Sequence, residues 1–307
     1  MMKNNMIFML LMLTGIASAS AQILNVTSVE RLDVPVAANG IIQQAVAVSP
    51  QGDYILLSTD TKQGLVKWDL STNSATRLTD KEGAGSNVCI SQDGGQVVYG
   101  ELSYKNKRRH EAVKAINLAT GKSTTLVKPT RDLQGFNAGN ATATVVADGQ
   151  VKSFALAKGV SDGDNRSVLS RHHLKLYITQ GGVTTQLAPN GADERYIWGS
   201  LSPDGSRVLY YVSGKGTFVC DIDGSHVTAM GNLTAPKWWD NKTIVGMDEE
   251  DGEYAITASR IVARTLSGEQ QVLTGDDVIA TYPLPCAQSG KIVFSTPDGQ
   301  IYLISAE

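Results

Sequence analysis

From about residue 44 onward the chain alternates short apolar runs with small polar turns, and no long segment keeps the 3.6-residue period of a helix. The stretch 196–230, YIWGSLSPDGSRVLYYVSGKGTFVCDIDGSHVTAM, shows the unit. Ser202-Pro203-Asp204-Gly205 closes a first hairpin, proline presetting φ and glycine taking the left-handed position. A strand over 207–212, a Gly-Lys-Gly turn, a strand to Ile222, the turn Asp223-Gly224 and a last strand over 226–230 follow. Val208 to Val212 are apolar on both alternation phases, so this strand needs cover on both faces. One sheet alone cannot offer that. Copies on either side can.

The copies are present. The hairpin turn recurs as Ser49-Pro50-Gln51-Gly52, Ser91-Gln92-Asp93-Gly94 and Ala147-Asp148-Gly149, and more weakly as Asp240-Asn241 and Gln288-Ser289-Gly290. The spacing fits the roughly 40–50 residues of a four-stranded propeller blade. A β-rich strand follows each turn, at 54–58, 96–100, 151–157, 207–212, 243–247 and 291–295. The last unit stops after its third strand, 301–304, while 25–34 has the character of a missing fourth strand. Pairing the two closes the ring and covers an edge that would otherwise template aggregation. The expected fold is therefore all-β: a six-bladed β-propeller of four-stranded antiparallel blades, closed by the N-terminal strand pairing with the C-terminal blade.

Repeats of Ser-Pro-Asp-Gly followed by an apolar strand and a further glycine turn resemble the TolB-type (PD-repeat) β-propellers. The resemblance spans 26–307 and is clear in units one, two and four; unit five, 235–244, is similar to the diverged blades of that family. The N-terminal α/β domain of TolB has no counterpart, so a role in its transport complex is not implied. The chain has no G-x-S-x-G nucleophile elbow, and Trp68-Asp69 is a single occurrence rather than a WD repeat.

Lys3, the apolar run 6–16 and Ala17-Ser18-Ala19-Ser20-Ala21 read as a secretory signal peptide cleaved near Ala21. That divides the chain into a leader, 1–21, and one propeller domain, 22–307, expected in the periplasm or secreted and monomeric. No later run is long enough to span a bilayer. With 27 basic and 30 acidic residues and a net charge of −3, neither nucleic acid nor anionic lipid is an expected partner. Cys89, Cys220 and Cys286 fall in apolar runs of different units and are expected as small buried hydrophobes; no Cys/His spacing suggests zinc.

Propeller strands alternate direction, so loops between second and third strands share one face with the connections between blades. Length is spent there, and the binding site is expected there. One long loop, 103–111, carries Lys105, Lys107, Arg108, Arg109 and His110; a second, 158–172, ends in Arg171 and His172; a third carries Asp248, Glu249, Glu250 and Asp251. Taken singly, each reads first as a solvated charged hairpin tip; the spatial pattern of the set favours a site. In a six-fold ring the basic and acidic loops of units two and five would face each other across the channel mouth. The acidic loop offers oxygens to calcium but lacks the spacing and glycine of an EF-hand, so no cofactor is expected and calcium is the one candidate.

Catalysis has little support. His172 and His173, adjacent in a strand, are expected on opposite sides, and Asp193, Glu194, Asp276 and Asp277 cannot be paired from sequence. Phe136, Tyr196, Trp198 and Tyr282 fall at the start of innermost strands, as core packing between blades or as a stacking surface. The preferred function is non-catalytic recognition of an envelope or extracellular protein or peptide on the long-loop face. The alternatives are a glycan-active hydrolase or lyase and a carbohydrate or small-ligand binding protein using the channel mouth.

Overall fold

The computed structural model describes residues 22–34, 43–139, 141–157 and 167–307. The leader read over 1–21 lies outside these. Strand β1 (Val26–Arg31) is followed by a first sheet of β2 (Gln43–Val48), β3 (Tyr54–Thr59), β4 (Leu65–Asp69) and β5 (Ser74–Thr79). The second sheet holds β6 (Val88–Ile90), β7 (Gln96–Lys105), β8 (Arg108–Asn117) and β9 (Ser123–Thr130). Two three-stranded sheets come next: β10 (Leu133–Ala138), β11 (Thr142–Ala147) and β12 (Gln150–Ala155), then β13 (Val168–His172), β14 (Lys175–Gln180) and β15 (Val183–Leu187). The fifth sheet is β16 (Tyr196–Leu201), β17 (Arg207–Val212), β18 (Gly216–Asp221) and β19 (Thr228–Ala229). The sixth is β20 (Thr234–Trp238), β21 (Thr243–Asp251), β22 (Ile256–Thr265) and β23 (Gln270–Val272). The seventh is β24 (Thr281–Cys286), β25 (Lys291–Ser295) and β26 (Ile301–Ala306), with β1 as its outer strand.

The propeller thus has seven blades, not the six expected from the turns. The extra blade comes from the third unit. Residues 133–138 form a first strand of their own, so Ala147-Asp148-Gly149 joins second to third strand instead of closing the first hairpin. Asp148 and Gly149 both take positive φ, the I′ geometry of a two-residue hairpin. The true first hairpin is hidden in the run of small residues around Gly139, which carries no Ser-Pro-Asp-Gly signal. Residues 168–187 then form a separate sheet instead of completing that unit. Four-stranded blades are also not universal: among the described residues the third and fourth sheets have three.

Ring closure runs through the termini. β1 lies antiparallel to β26, Val29 opposite Ile304 and Arg31 opposite Tyr302, and Asn25 and Glu307 exchange backbone hydrogen bonds of 2.9 and 3.0 Å. The core consists of apolar seams between neighbouring sheets. Tyr54, Leu56, Val97 and Ile116 join the first and second; Val208, Tyr210, Leu176 and Ile178 the fourth and fifth; Met247, Ile261, Ile292 and Phe294 the sixth and seventh. This is the two-faced cover that the doubly apolar strands require. Among the described residues no such cluster joins the third and fourth sheets. There Gly135 backs onto Ser170, where an added Cβ would lie 3.1 Å from the serine Cβ, and Thr142, Thr144 and Val146 face across from β11.

The fourth sheet is also reversed. The amide of Tyr196, at the start of β16, donates to Leu174 O at 2.8 Å, so the β13–β14 turn lies beside the beginning of the next inner strand. Arg171 to His173 likewise share a cavity with Arg131, Leu133 and Gln134 at the start of β10. β13 therefore runs antiparallel to both flanking inner strands. We call the face carrying this turn and the β7–β8 hairpin the upper face.

The lower face is held by hydrogen-bonded turns. Asp204 accepts from Ser202 Oγ (2.6 Å), Ser206 N (3.0 Å) and Ser206 Oγ (2.8 Å), while Arg207 N donates to Ser202 Oγ (3.0 Å). These donors, the Ser202 hydroxyl foremost, hold the Asp204 carboxyl below the usual range; Ser71 and Ser225 lead the same effect at Asp69 and Asp223, and Thr296 does so at Asp298 in the β25–β26 turn of the upper face. A carboxyl depressed by folding stabilises above its unfolded pKa, and that contribution is lost as pH falls through the folded value. The melting temperature should therefore drop below about pH 4. Asp204→Asn should reduce the pH-dependent part of that drop, as followed by circular dichroism.

Candidate functional site

The inner strands β2, β6, β10, β13, β16, β20 and β24 touch one another in a closed ring around the channel. Two features rise over its upper mouth on the side of the second to fourth sheets. The first is the β7–β8 hairpin, whose ten-residue strands outlast the blade and turn at Asn106 and Lys107, both at positive φ. The second is the β13–β14 turn, with His173 and Leu174 at φ 47° and 61°. It stands over the inner ring because β13 is reversed.

Between them lies a trough of about 510 Å3. Arg108 and Arg109 enter from the second sheet, Arg131 from the strand connection into the third, and Arg171, His172 and His173 from the fourth. Glu111 is the one carboxylate in its lining, and Arg109 pairs with it at 2.8 Å. The two imidazoles meet edge to face, 4.0 Å between ring centres. The expectation that they point apart is thus corrected: alternation applies within a strand, and His173 has left the strand for a left-handed turn.

The trough runs into a second cavity of about 500 Å3 in the upper channel, the two sharing Asn87, Gln134 and Arg171. Its walls are Val88, Phe136, Leu169, Leu176, Ile197 and Trp198. Trp198 sits at φ 51° in a bulge of β16 and packs edge-on to Tyr211, 5.2 Å between ring centres. Bulges in inner strands re-aim side chains, and β20 carries another just before Lys237, which also lines the cavity. Cys89 lies across the channel from Lys237; burial pushes its thiol up to about 11, while burial lowers the lysine amine.

Of the other residues singled out in the sequence, Lys105 and Lys107 are exposed at the hairpin tip and His110 turns its Nδ1 to Arg108 O, 2.9 Å away. Tyr196 belongs to the core, its hydroxyl donating to Gly191 O at 2.9 Å. Tyr282 is exposed on β24. Asp248, Glu249, Glu250 and Asp251 lie on the β21–β22 hairpin of the sixth sheet, where Arg260 bridges Asp248 (3.3 Å) and Asp276 (3.7 Å). The basic and acidic hairpins sit as nearly opposite as seven blades allow. In a ring of seven the second and sixth sheets are three steps apart one way and four the other. Among the described residues no group of three or more His, Cys, Asp or Glu is placed to hold a metal ion. Glu194 is engaged by Lys215 at 2.6 Å.

Sequence reasoning missed Arg131 and Lys237, and it set His173 aside on strand geometry. Arg131 sat in an ordinary connection between strands. Lys237 had a signal, a single cation inside the apolar run Ala235-Pro236-Lys237-Trp238-Trp239.

No family model and no curated protein sequence matches this chain. Solved structures do match. The Cps50 (Swd1) β-propeller domain of Myceliophteria thermophila is 12% identical, with a TM-score of 0.55 over 92% of this chain and 99% of that one. TolB from Acinetobacter baumannii is 15% identical, with a TM-score of 0.48 over 86% of this chain and 55% of that one. An oligogalacturonate lyase from Vibrio parahaemolyticus is 14% identical, with a TM-score of 0.46 over 84% and 76%. Likeness at such identities is one of fold: a β-propeller. Among the described residues no helix is long and apolar enough to cross a membrane.

Proposed function

We propose that this protein is an exported recognition module that binds an acidic segment of a protein or peptide across the upper face, along the trough between the β7–β8 hairpin and the β13–β14 turn. One observation carries this reading: four arginines and two histidines from three sheets converge on one trough that contains a single carboxylate. Guanidinium groups take carboxylates in bidentate pairs, and several in a row match an extended acidic chain better than one compact anion. Arg108, Arg131 and Arg171 have no carboxylate partner among the described residues, so a ligand would not have to displace one. The test is calorimetric titration with a glutamate-rich decapeptide and its glutamine counterpart at two salt concentrations. The acidic peptide should bind and weaken as ionic strength rises, because the trough is open to solvent and screened. Equal binding of the two peptides would remove the reading.

A second reading, a lyase acting on an acidic glycan, is favoured by the convergence of histidine with arginine at the mouth. An arginine would neutralise the uronate carboxylate while one imidazole takes the proton α to it; the C–O bond β to the carboxylate then breaks, the leaving sugar oxygen taking a proton from the other imidazole or from water, and a C=C bond forms. Ultraviolet absorbance of the unsaturated product, abolished in His173→Ala, would establish it. No absorbance change with any acidic glycan tested would leave the binding reading alone.

A further inference from the structure

We propose that the upper channel is a carboxylate-binding subsite, in which Lys237 and Arg171 receive the anionic end of a ligand whose apolar body packs against Trp198 and Phe136. The subsite is separate from the trough in chemistry, and it stands even if the trough binds no acidic chain.

The cavity holds two cations and no carboxylate. Its titratable lining is Lys237 from β20, Arg171 from β13 and the Cys89 thiol from β6; Ser86, Asn87, Gln134 and Ser170 are its neutral polar groups. Lys237 makes no hydrogen bond or ion pair among the described residues, and its charged interaction is with Cys89 across the channel. An ammonium enclosed without a counter-ion is costly, and a bound anion removes that cost. Ser170, in the same wall, has a buried hydroxyl without a partner. The rest of the lining is aromatic and aliphatic, arranged around a space of about 500 Å3, the size of ordinary small-ligand cavities. Charge at one place and apolar wall around it select a carboxylate borne on an apolar body, either a small organic acid or the apolar C-terminal residue of a peptide. A polyanion would leave the apolar wall unmatched.

Enclosure lowers the amine of Lys237, and a bound carboxylate raises it again. Binding therefore takes up a proton in the window between the two values, and affinity falls as pH rises through it. Arg171 keeps its charge throughout, and with no carboxylate in the lining the dependence follows Lys237, with the Cys89 thiolate opposing anions only at the alkaline end.

The experiment is calorimetry on the purified protein with four probes: 3-phenylpropionate, 3-phenylpropionamide, and the tripeptide Ala-Ala-Phe with a free or an amidated C-terminus. At least one free acid should bind tenfold or more tightly than its amide. Whether the small acid, the peptide or both do so identifies the source of the carboxylate. Lys237→Met, which removes an uncompensated charge and keeps the volume, should lower that affinity at least tenfold without lowering the melting temperature. Arg171→Gln, at the rim, should lower it less. Equal affinity for acid and amide, no binding of either acid, or unchanged binding in Lys237→Met would each overturn the proposal. The acid–amide comparison needs no variant, so a misfolded mutant leaves it decisive.

Discussion

Deleting residues 22–32 is expected to cost the propeller several kcal/mol and expose it to aggregation, although β1 itself buries little. All of β1 beyond its first residue is exposed on its side-chain surfaces. Its weight comes from two other sources. It covers the backbone edge of β26, which would otherwise be free to pair with another molecule. It also continues from Leu24, which is buried in the seam of the sixth and seventh sheets with Met247, Phe294 and Ile304. Gln271 clamps that segment, its Oε1 accepting from Ile23 N (2.6 Å) and Leu24 N (2.8 Å) and its Nε2 donating to Leu24 O (2.9 Å). Leu24→Ala alone should cost about 2–5 kcal/mol, roughly 5–15 °C in melting temperature for a chain of this size. The deletion should cost more and add light scattering near the transition. Differential scanning calorimetry with parallel turbidity reads both, and an unchanged melting temperature for the deletion would show that the remaining three strands of the seventh sheet suffice.

The second large effect is expected at the trough. Arg108→Glu combined with Arg131→Glu should weaken binding of the glutamate-rich peptide about thirtyfold or more, taking roughly 1 kcal/mol at each position. Both side chains are exposed, so the fold should be unaffected. The loss should shrink at high salt, where the wild-type advantage is itself screened. Lys105→Glu with Lys107→Glu supplies the contrast. These residues belong to the same hairpin but are not part of the trough lining, and a far smaller effect is expected. If the lysine pair costs as much as the arginine pair, the hairpin acts through diffuse charge and the trough has no special role.

The strands were largely legible because turn chemistry and apolar runs are local. Ser202-Pro203-Asp204-Gly205 marks the β16–β17 turn, and the outer-strand character of 25–34 led to its pairing with the last blade. Blade number was not legible, for a physical reason. The count rested on one turn type, and the third blade closes its first hairpin with small residues, placing Asp148-Gly149 at the opposite end of the sheet. Reversal of β13 was equally hidden, since nothing in Val168–His172 encodes direction relative to strands far along the chain. The site inherited both gaps. Arg108, Arg109, Arg171 and His172 were found because long charged loops stand out, whereas His173 was set aside on a strand geometry it does not have, and Lys237 was passed over within a run read only for its apolar neighbours.

The boundary between the third and fourth sheets has a consequence for motion. Every other boundary in the described ring is glued by an apolar cluster, while this one meets through Gly135, Ser170, facing threonines and the single valine Val146. A hoop with one weak joint yields there first, so spontaneous breathing of the molecule should begin between β10 and β13. Arg131 and Arg171 stand on opposite sides of that joint. An acidic chain held by both would act as a clasp, and the protein would report occupancy of its mouth as a stiffening of the whole hoop.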